Sequence, residues 1–169
     1  AGILLLKLGT DMSPEEFRRV IDVNLTGAFI TTRAAARQMM DGKGGRIIMT
    51  SSLFGLRGGR ENTAYSAAKF GMVGMMQSFA AELAAHKILV NCVCPGQMDT
   101  DMMQQLLRDR AQLRGVTEAE VAAALTSRIP VGHLGPLDQL SGTYVYLASK
   151  LSRYVTGQSI VVDGGWQIG

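Results

Sequence analysis

The chain has 169 residues, 47% of them hydrophobic and 18% charged, with 20 glycines and a formal net charge of +3. This suits one globular domain with a substantial core and tight turns. The seventeen Lys and Arg are scattered apart from Arg57 and Arg60, which argues against nucleic acid as a partner. No apolar run reaches membrane-spanning length, and the start lacks the charged and cleavage regions of a signal peptide.

In chain order, Ser13-Pro14-Glu15-Glu16 opens a helix, with Ser as N-cap, Pro at the first helical position and Glu16 closing a capping box. Phe17, Val20, Ile21, Leu25 and Ala28 carry helical spacing on toward Met40. The Gly42-to-Gly45 stretch ends that helix, and residues 46–51 read as a short apolar strand. A long helix is expected from about Ala64 to Ala85, then a strand over 88–94 stopped by Pro95-Gly96. Residues 101–128 read as two polar helices broken near Gly115, the second opened by a Thr117/Glu120 capping box. Pro136 opens another helix through Ala148, and 159–163 is the last strand. Apolar strands separated by helices imply an α/β fold with a mostly parallel sheet.

Cys92 and Cys94 point to one face of their strand and cannot easily bridge each other. They read as reduced thiols of a cytoplasmic protein. His86 and His133 lie apart, without metal-ligand spacing, so no metal is expected.

The chemistry concentrates around Tyr65 and Lys69, four residues apart and therefore on one helix face. A fixed ammonium favours the phenolate. At about 4 Å and an effective dielectric of about 20 the attraction is roughly 4 kcal/mol, enough to move a phenol toward neutrality as an upper estimate. Such a tyrosine is a working acid–base catalyst. In a parallel α/β sheet, sites form at the carboxyl ends of strands. Thr50-Ser51-Ser52 and Pro95-Gly96 fall there. Asn24 places an amide in an apolar helix, where burial is costly unless it is hydrogen-bonded.

Asn24, Ser52, Tyr65, Lys69 and the Pro95-Gly96-Gln-Met-Asp-Thr100 segment, in this order, resemble the signature set of the short-chain dehydrogenase/reductases. Ser52 precedes Tyr65 by the usual family separation. Val23-Asn-Leu-Thr-Gly27, the Val90-to-Gly96 stretch and Tyr154-to-Gly165 resemble family consensus segments. The resemblance implies a Rossmann-like fold and an NAD or NADP cofactor. It also implies a Tyr65, Lys69, Ser52 and Asn24 catalytic set interconverting a secondary alcohol and a ketone. Tyr65 would transfer the proton, Lys69 would lower its pKa and hold the nicotinamide ribose, and Ser52 would orient the substrate oxygen. Asn24 would hold a water on a proton path from Lys69. Tyr65, Lys69, Pro95, Gly96, Met98 and Thr100 would meet the cofactor.

Residues 1–169 thus read as a single incomplete domain, the C-terminal part of a doubly wound parallel sheet. The first strands and the glycine-rich pyrophosphate turn of the family are missing. Ala1-Gly2 resemble the tail of a family motif that follows the fourth strand, which puts Ile3 to Leu6 in a loop although their composition reads as strand. The missing initiator Met points to an incomplete record. The fragment alone is expected to bind dinucleotide poorly, to be inactive, and to aggregate through an open edge at the 46–51 strand.

The substrate loop spans about residues 97–133. Met98, Met102 and Met103 there read either as an adaptable apolar pocket or as helix packing. Phe54, Arg57 and Arg60 border the site, where an arginine could meet an anionic substrate, but both arginines read first as solvated surface residues. Resemblance to polyol, sugar-alcohol and acetoin dehydrogenases makes a polyol or sugar alcohol the expected substrate, with a 3-oxoacyl carrier-protein reductase as the alternative. A catalytically inactive truncated paralogue acting by subunit contacts is a third reading. The 64–85 helix, apolar nearly all round, implies burial on both sides, and the family resemblance implies a homodimer or homotetramer.

Overall fold

The structure is a computed structural model describing residues 2–168. Ala1, half of the proposed Ala1-Gly2 motif, and Gly169 lie outside the described residues.

Both capping boxes form. The Ser13 and Glu16 box starts α1 (Pro14–Ile21), and the Thr117 and Glu120 box starts α5 (Glu118–Thr126). The single helix expected up to Met40 is instead interrupted. After α1 the chain makes a π-helical turn at Asp22–Thr26, and α2 follows as Gly27–Met40. The apolar spacing that runs on from Phe17 to Ala28 did not mark this turn off from the flanking helix. Ile3 to Leu6 form no strand, as the resemblance implied, and Lys7 makes an isolated bridge to Asn62.

Strands β1 (Gly45–Thr50), β2 (Ile88–Pro95) and β3 (Ser159–Val162) form a parallel sheet in the order β1-β2-β3. Gly45 to Thr50 pair with Ile88 to Val93, and Cys92 to Pro95 pair with Ser159 to Val162. A parallel pair needs a long crossover. The helix α3 (Thr63–Leu83) supplies it between β1 and β2. Among the described residues β1 pairs on one side only, the edge position expected for it.

Strand alternation divides the core. Ile47, Met49, Val90, Cys92 and Cys94 join Ala36 of α2 and Met72, Met76 and Ala80 of α3 on one face. On the other face Ile48, Val93, Ile160 and Val162 meet Leu140 and Leu147 of α6 (Leu137–Ala148). Helices therefore cover both faces. A separate cluster builds the substrate loop. Met103, Leu107 and Ala111 of α4 (Asp101–Arg114) pack with Val121 and Leu125 of α5, and Leu53 and Trp166 complete it. Gly115, in the left-handed region at φ 65°, ends α4 at the expected break.

Both cysteines are free and buried. Among the described residues no helix is long and apolar enough to cross a membrane, and no cluster of His, Cys, Asp and Glu is arranged to hold a metal.

Candidate active site

Two strand ends and one helix start converge on the site. Where β1 finishes, the Ser51 amide still donates to the Val93 carbonyl at 2.8 Å, continuing the ladder to β2. The Ser51 hydroxyl donates to the Lys69 carbonyl at 3.0 Å and ties α3 to the strand end. Ser52 turns the chain into a short 3-10 turn at Leu53–Gly55, its hydroxyl accepting from the Phe54 amide at 3.2 Å. Phe54 then meets the Tyr65 ring edge-on, with centroids 6.4 Å apart.

Tyr65 and Lys69 lie on the same face of α3, as their spacing requires. The Lys69 amine is 5.6 Å from the Tyr65 ring centroid and donates to the Thr50 carbonyl at 2.9 Å. The ammonium is thus held at the end of β1 beside the ring. Burial raises the Tyr65 pKa above its ordinary value, with the Ser52 hydroxyl pulling the other way. Burial also lowers the pKa of Lys69, and the Cys92 and Cys94 thiols oppose that shift. Desolvation favours the neutral form of each group.

Asn24, in the π-helical turn, is 2% exposed. Its amide nitrogen donates to the Ile3 carbonyl at 2.8 Å and its oxygen accepts from the Ile3 amide at 3.1 Å. The side chain clamps the loop at Ile3, which satisfies its buried amide. The turn that places it there is the π-helical one that the sequence pattern did not reveal.

At the end of β2, Gly96 donates to the Val162 carbonyl at 2.9 Å. A Cβ on Gly96 would lie 2.5 Å from the Asp163 Cβ, so only glycine permits this close approach of β2 and β3. Met98 bridges to Gly135. Thr100 caps α4, its hydroxyl accepting from the Met103 amide at 3.2 Å. All eight site residues named from the sequence line one cavity of about 460 Å³.

The methionines take both expected parts. Met98, Met102 and Met103 all line the cavity, while Met98 and Met103 are also buried in packing clusters and Met102 is exposed. Phe54 lines the cavity, but Arg57 and Arg60 do not; Arg110 takes the place expected of an arginine. Leu137 and Leu140 contribute from α6. Arg110 was missed, although a signal existed: it neighbours the buried Met103, Leu107 and Ala111 stripe of α4.

A family model described as enoyl-(acyl carrier protein) reductase matches residues 1–167. An L-rhamnose 1-dehydrogenase (NAD(P)+) from Azotobacter vinelandii is 42% identical over 98% of this chain and 61% of its own length. A 3-oxoacyl-[acyl-carrier-protein] reductase from Rickettsia bellii is 38% identical over 98% of this chain and 64% of its own. The crystal structure of a short-chain type dehydrogenase/reductase from Mycobacterium marinum superposes with a TM-score of 0.88 at 39% identity, over 100% of this chain and 63% of that one. The chain belongs to the short-chain dehydrogenase/reductase family. It spans less than two thirds of the length of these relatives. The short-chain dehydrogenase/reductase fold explains why residues as far apart as Asn24 and Thr100 line one cavity: the parallel sheet brings successive strand ends to one side.

Proposed function

We propose that the protein is an NAD(P)-dependent oxidoreductase that interconverts a secondary alcohol and a ketone. One observation carries this reading: Ser52, Tyr65, Lys69 and the Pro95-to-Thr100 segment, from separate elements, line one cavity at the carboxyl ends of β1 and β2. The donor set fits a nicotinamide riboside, with a lysine amine and a threonine hydroxyl for ribose and amide groups and Pro95 and Met98 as an apolar wall. Bound there, the cofactor supplies or accepts the hydride.

The chain's own residues handle the proton and the substrate oxygen. Ser52 donates to that oxygen and holds it against Tyr65. Tyr65, its pKa raised by burial, keeps its proton until the carbonyl oxygen gathers charge, and takes the proton back in the oxidation direction. Lys69 lies under the Tyr65 ring, anchored on Thr50, where it balances the negative charge that develops on the phenol. Asn24 supports the site by fixing the Ile3 loop against it.

For the substrate we favour a polyol or sugar alcohol, supported by the 42% identical relative named a rhamnose dehydrogenase. The relative named a 3-oxoacyl-[acyl-carrier-protein] reductase supports the second reading. A panel of sugar alcohols, diols and 3-oxoacyl thioesters, followed by nicotinamide absorbance, separates the two. The intact set of hydroxyl, phenol and amine argues against an inactive paralogue. The exposed Phe29, Ile30 and Phe70 on α2 and α3 support self-association, and two buried free thiols support a cytoplasmic setting.

The test is Tyr65→Phe in the full-length protein. Turnover should fall at least about 1,000-fold, near the upper range of a single acid–base residue, while cofactor binding measured by fluorescence is kept. Near-normal turnover in that variant sinks the proposal.

A further inference from the structure

One charged group at the cavity has no task in the proton-transfer chemistry. Arg110 lines the cavity from α4, in the company of Phe54, Met102, Met103 and Leu106. Its Nε is buried without a hydrogen-bond partner. Among the described residues it forms no ion pair; the pairs present are Lys7–Glu16, Arg18–Glu15 and Arg60–Glu61. A guanidinium normally has its five donors satisfied by carboxylate, carbonyl or water, and burying one without a partner is costly.

Its charged neighbours make the position more demanding. Arg114 and Arg128 both act on Arg110 as like charges, and burial acts in the same direction. Glu61 is the one acid that favours its charge, and Glu61 pairs with Arg60 at 3.8 Å. Arg128 is occupied over the Trp166 ring, 4.5 Å from its centroid. Arg110 thus reaches the cavity with two like charges near it and a single carboxylate that favours its own. Packing alone would be served by an uncharged side chain next to the Met103, Leu107 and Ala111 stripe.

We infer that Arg110 is a specificity-determining residue that receives an anionic group, a carboxylate or a phosphate, carried by the substrate away from its reacting carbon. This rests on the oxidoreductase reading above and refines its substrate class from a polyhydroxy alcohol to an acidic one. The planar fork of the guanidinium matches two oxygens of either anion. The surrounding apolar side chains exclude water and strengthen that contact. Tyr65 and Ser52 line the same cavity as Arg110, so a substrate bound there is open to the proton donor and to the arginine.

The test uses the full-length protein with matched trios of one carbon chain: the neutral polyol, its aldonate and its monophosphate. The wild-type protein should prefer at least one anion over the neutral member by about tenfold or more in kcat/KM. Whichever anion is preferred identifies the group. Arg110→Gln should erase that preference by raising KM for the anion about tenfold or more, leaving kcat and the kinetics of the neutral polyol within about twofold. Arg110→Lys should restore part of it. Equal use of neutral and anionic members by the wild-type protein overturns the inference while leaving the oxidoreductase reading intact. So does an Arg110→Gln loss that is the same for all three members. Failure of the wild-type protein on every alcohol and ketone, with cofactor bound, overturns the underlying reading and this inference with it.

Discussion

At the scale of single residues, burial acts on the site beside charge pairing. Tyr65 and Lys69 share a helix face, and the spacing alone pointed to an ammonium pulling the phenol toward neutrality. The structure also gives the amine the Thr50 carbonyl as a partner, and burial raises the Tyr65 pKa and lowers that of Lys69. Asn24 shows the same principle for an uncharged group. Its amide is affordable at 2% exposure because both ends bond to the Ile3 backbone. Asn24→Ala should therefore cost about 1–3 kcal/mol of stability, the range for unsatisfied buried partners. Hydrogen exchange should rise specifically at residues 3–6. Unchanged protection there, together with an unchanged Tm, contradicts the clamp. The tyrosine substitution and the arginine series proposed above belong to this scale as well, since each removes one named contact from the reacting oxygen or from an anion.

At the scale of elements, β2 carries the most consequence. It is the central strand, its residues from Val90 to Cys94 are fully buried, and its end delivers Pro95-Gly96 to the site. Both cysteines lie on its helix-covered face, under α3. Burial, with the Cys94 thiol reinforcing it, pushes the Cys92 thiol from 9.0 up to about 12. Above pH 9 the unfolded chain releases this proton and the folded chain retains it. The unfolded state then binds fewer protons, so stability falls as pH rises from about 9 toward about 12. Each pH unit in that window removes about 1.4 kcal/mol. Lys69, whose pKa is lowered in the folded state, works in the opposite direction below 10.5. The comparison must therefore be made against a variant that keeps Lys69. Urea unfolding of the full-length protein between pH 9 and 11 should show a shallower loss in Cys92→Ala than in the wild-type protein. Equal slopes would remove Cys92 as a source of alkaline instability. Much of the element pattern was legible beforehand. Caps, glycine breaks and strand-length apolar runs act within a few residues, and the structure follows them closely. The π-helical turn at Asp22–Thr26 was not legible, because it is held by contacts to the Ile3 loop and to α3.

For the whole molecule, what matters is which surfaces remain open. The face of α3 carrying Ala67, Phe70 and Gly74 is uncovered, as are Phe29 and Ile30 of the adjacent α2. An apolar face of this kind fits a second copy of the same protein. The reading of α3 as buried on both sides thus holds within the chain for one side only. Full-length protein should elute as a dimer or tetramer, and Phe70→Asp should shift it toward a smaller species by light scattering. A wild-type monomer at micromolar concentration contradicts self-association.

The sequence by itself determined the local frame: capped helices, a parallel α/β sheet, and the Tyr65–Lys69 spacing with Ser52 and Pro95-Gly96 placed at strand ends. Those features depend on backbone preference and on side-chain periodicity, which neighbouring residues settle among themselves. Only the tertiary structure decided the partners. It bound the Lys69 amine to Thr50, nineteen residues away, and the Asn24 amide to Ile3, twenty-one residues away. It also brought Arg110, and neither Arg57 nor Arg60, to the cavity wall. Which distant groups meet is set by how the helices and the substrate loop pack over the sheet, and the electrostatics of the site follow from that packing.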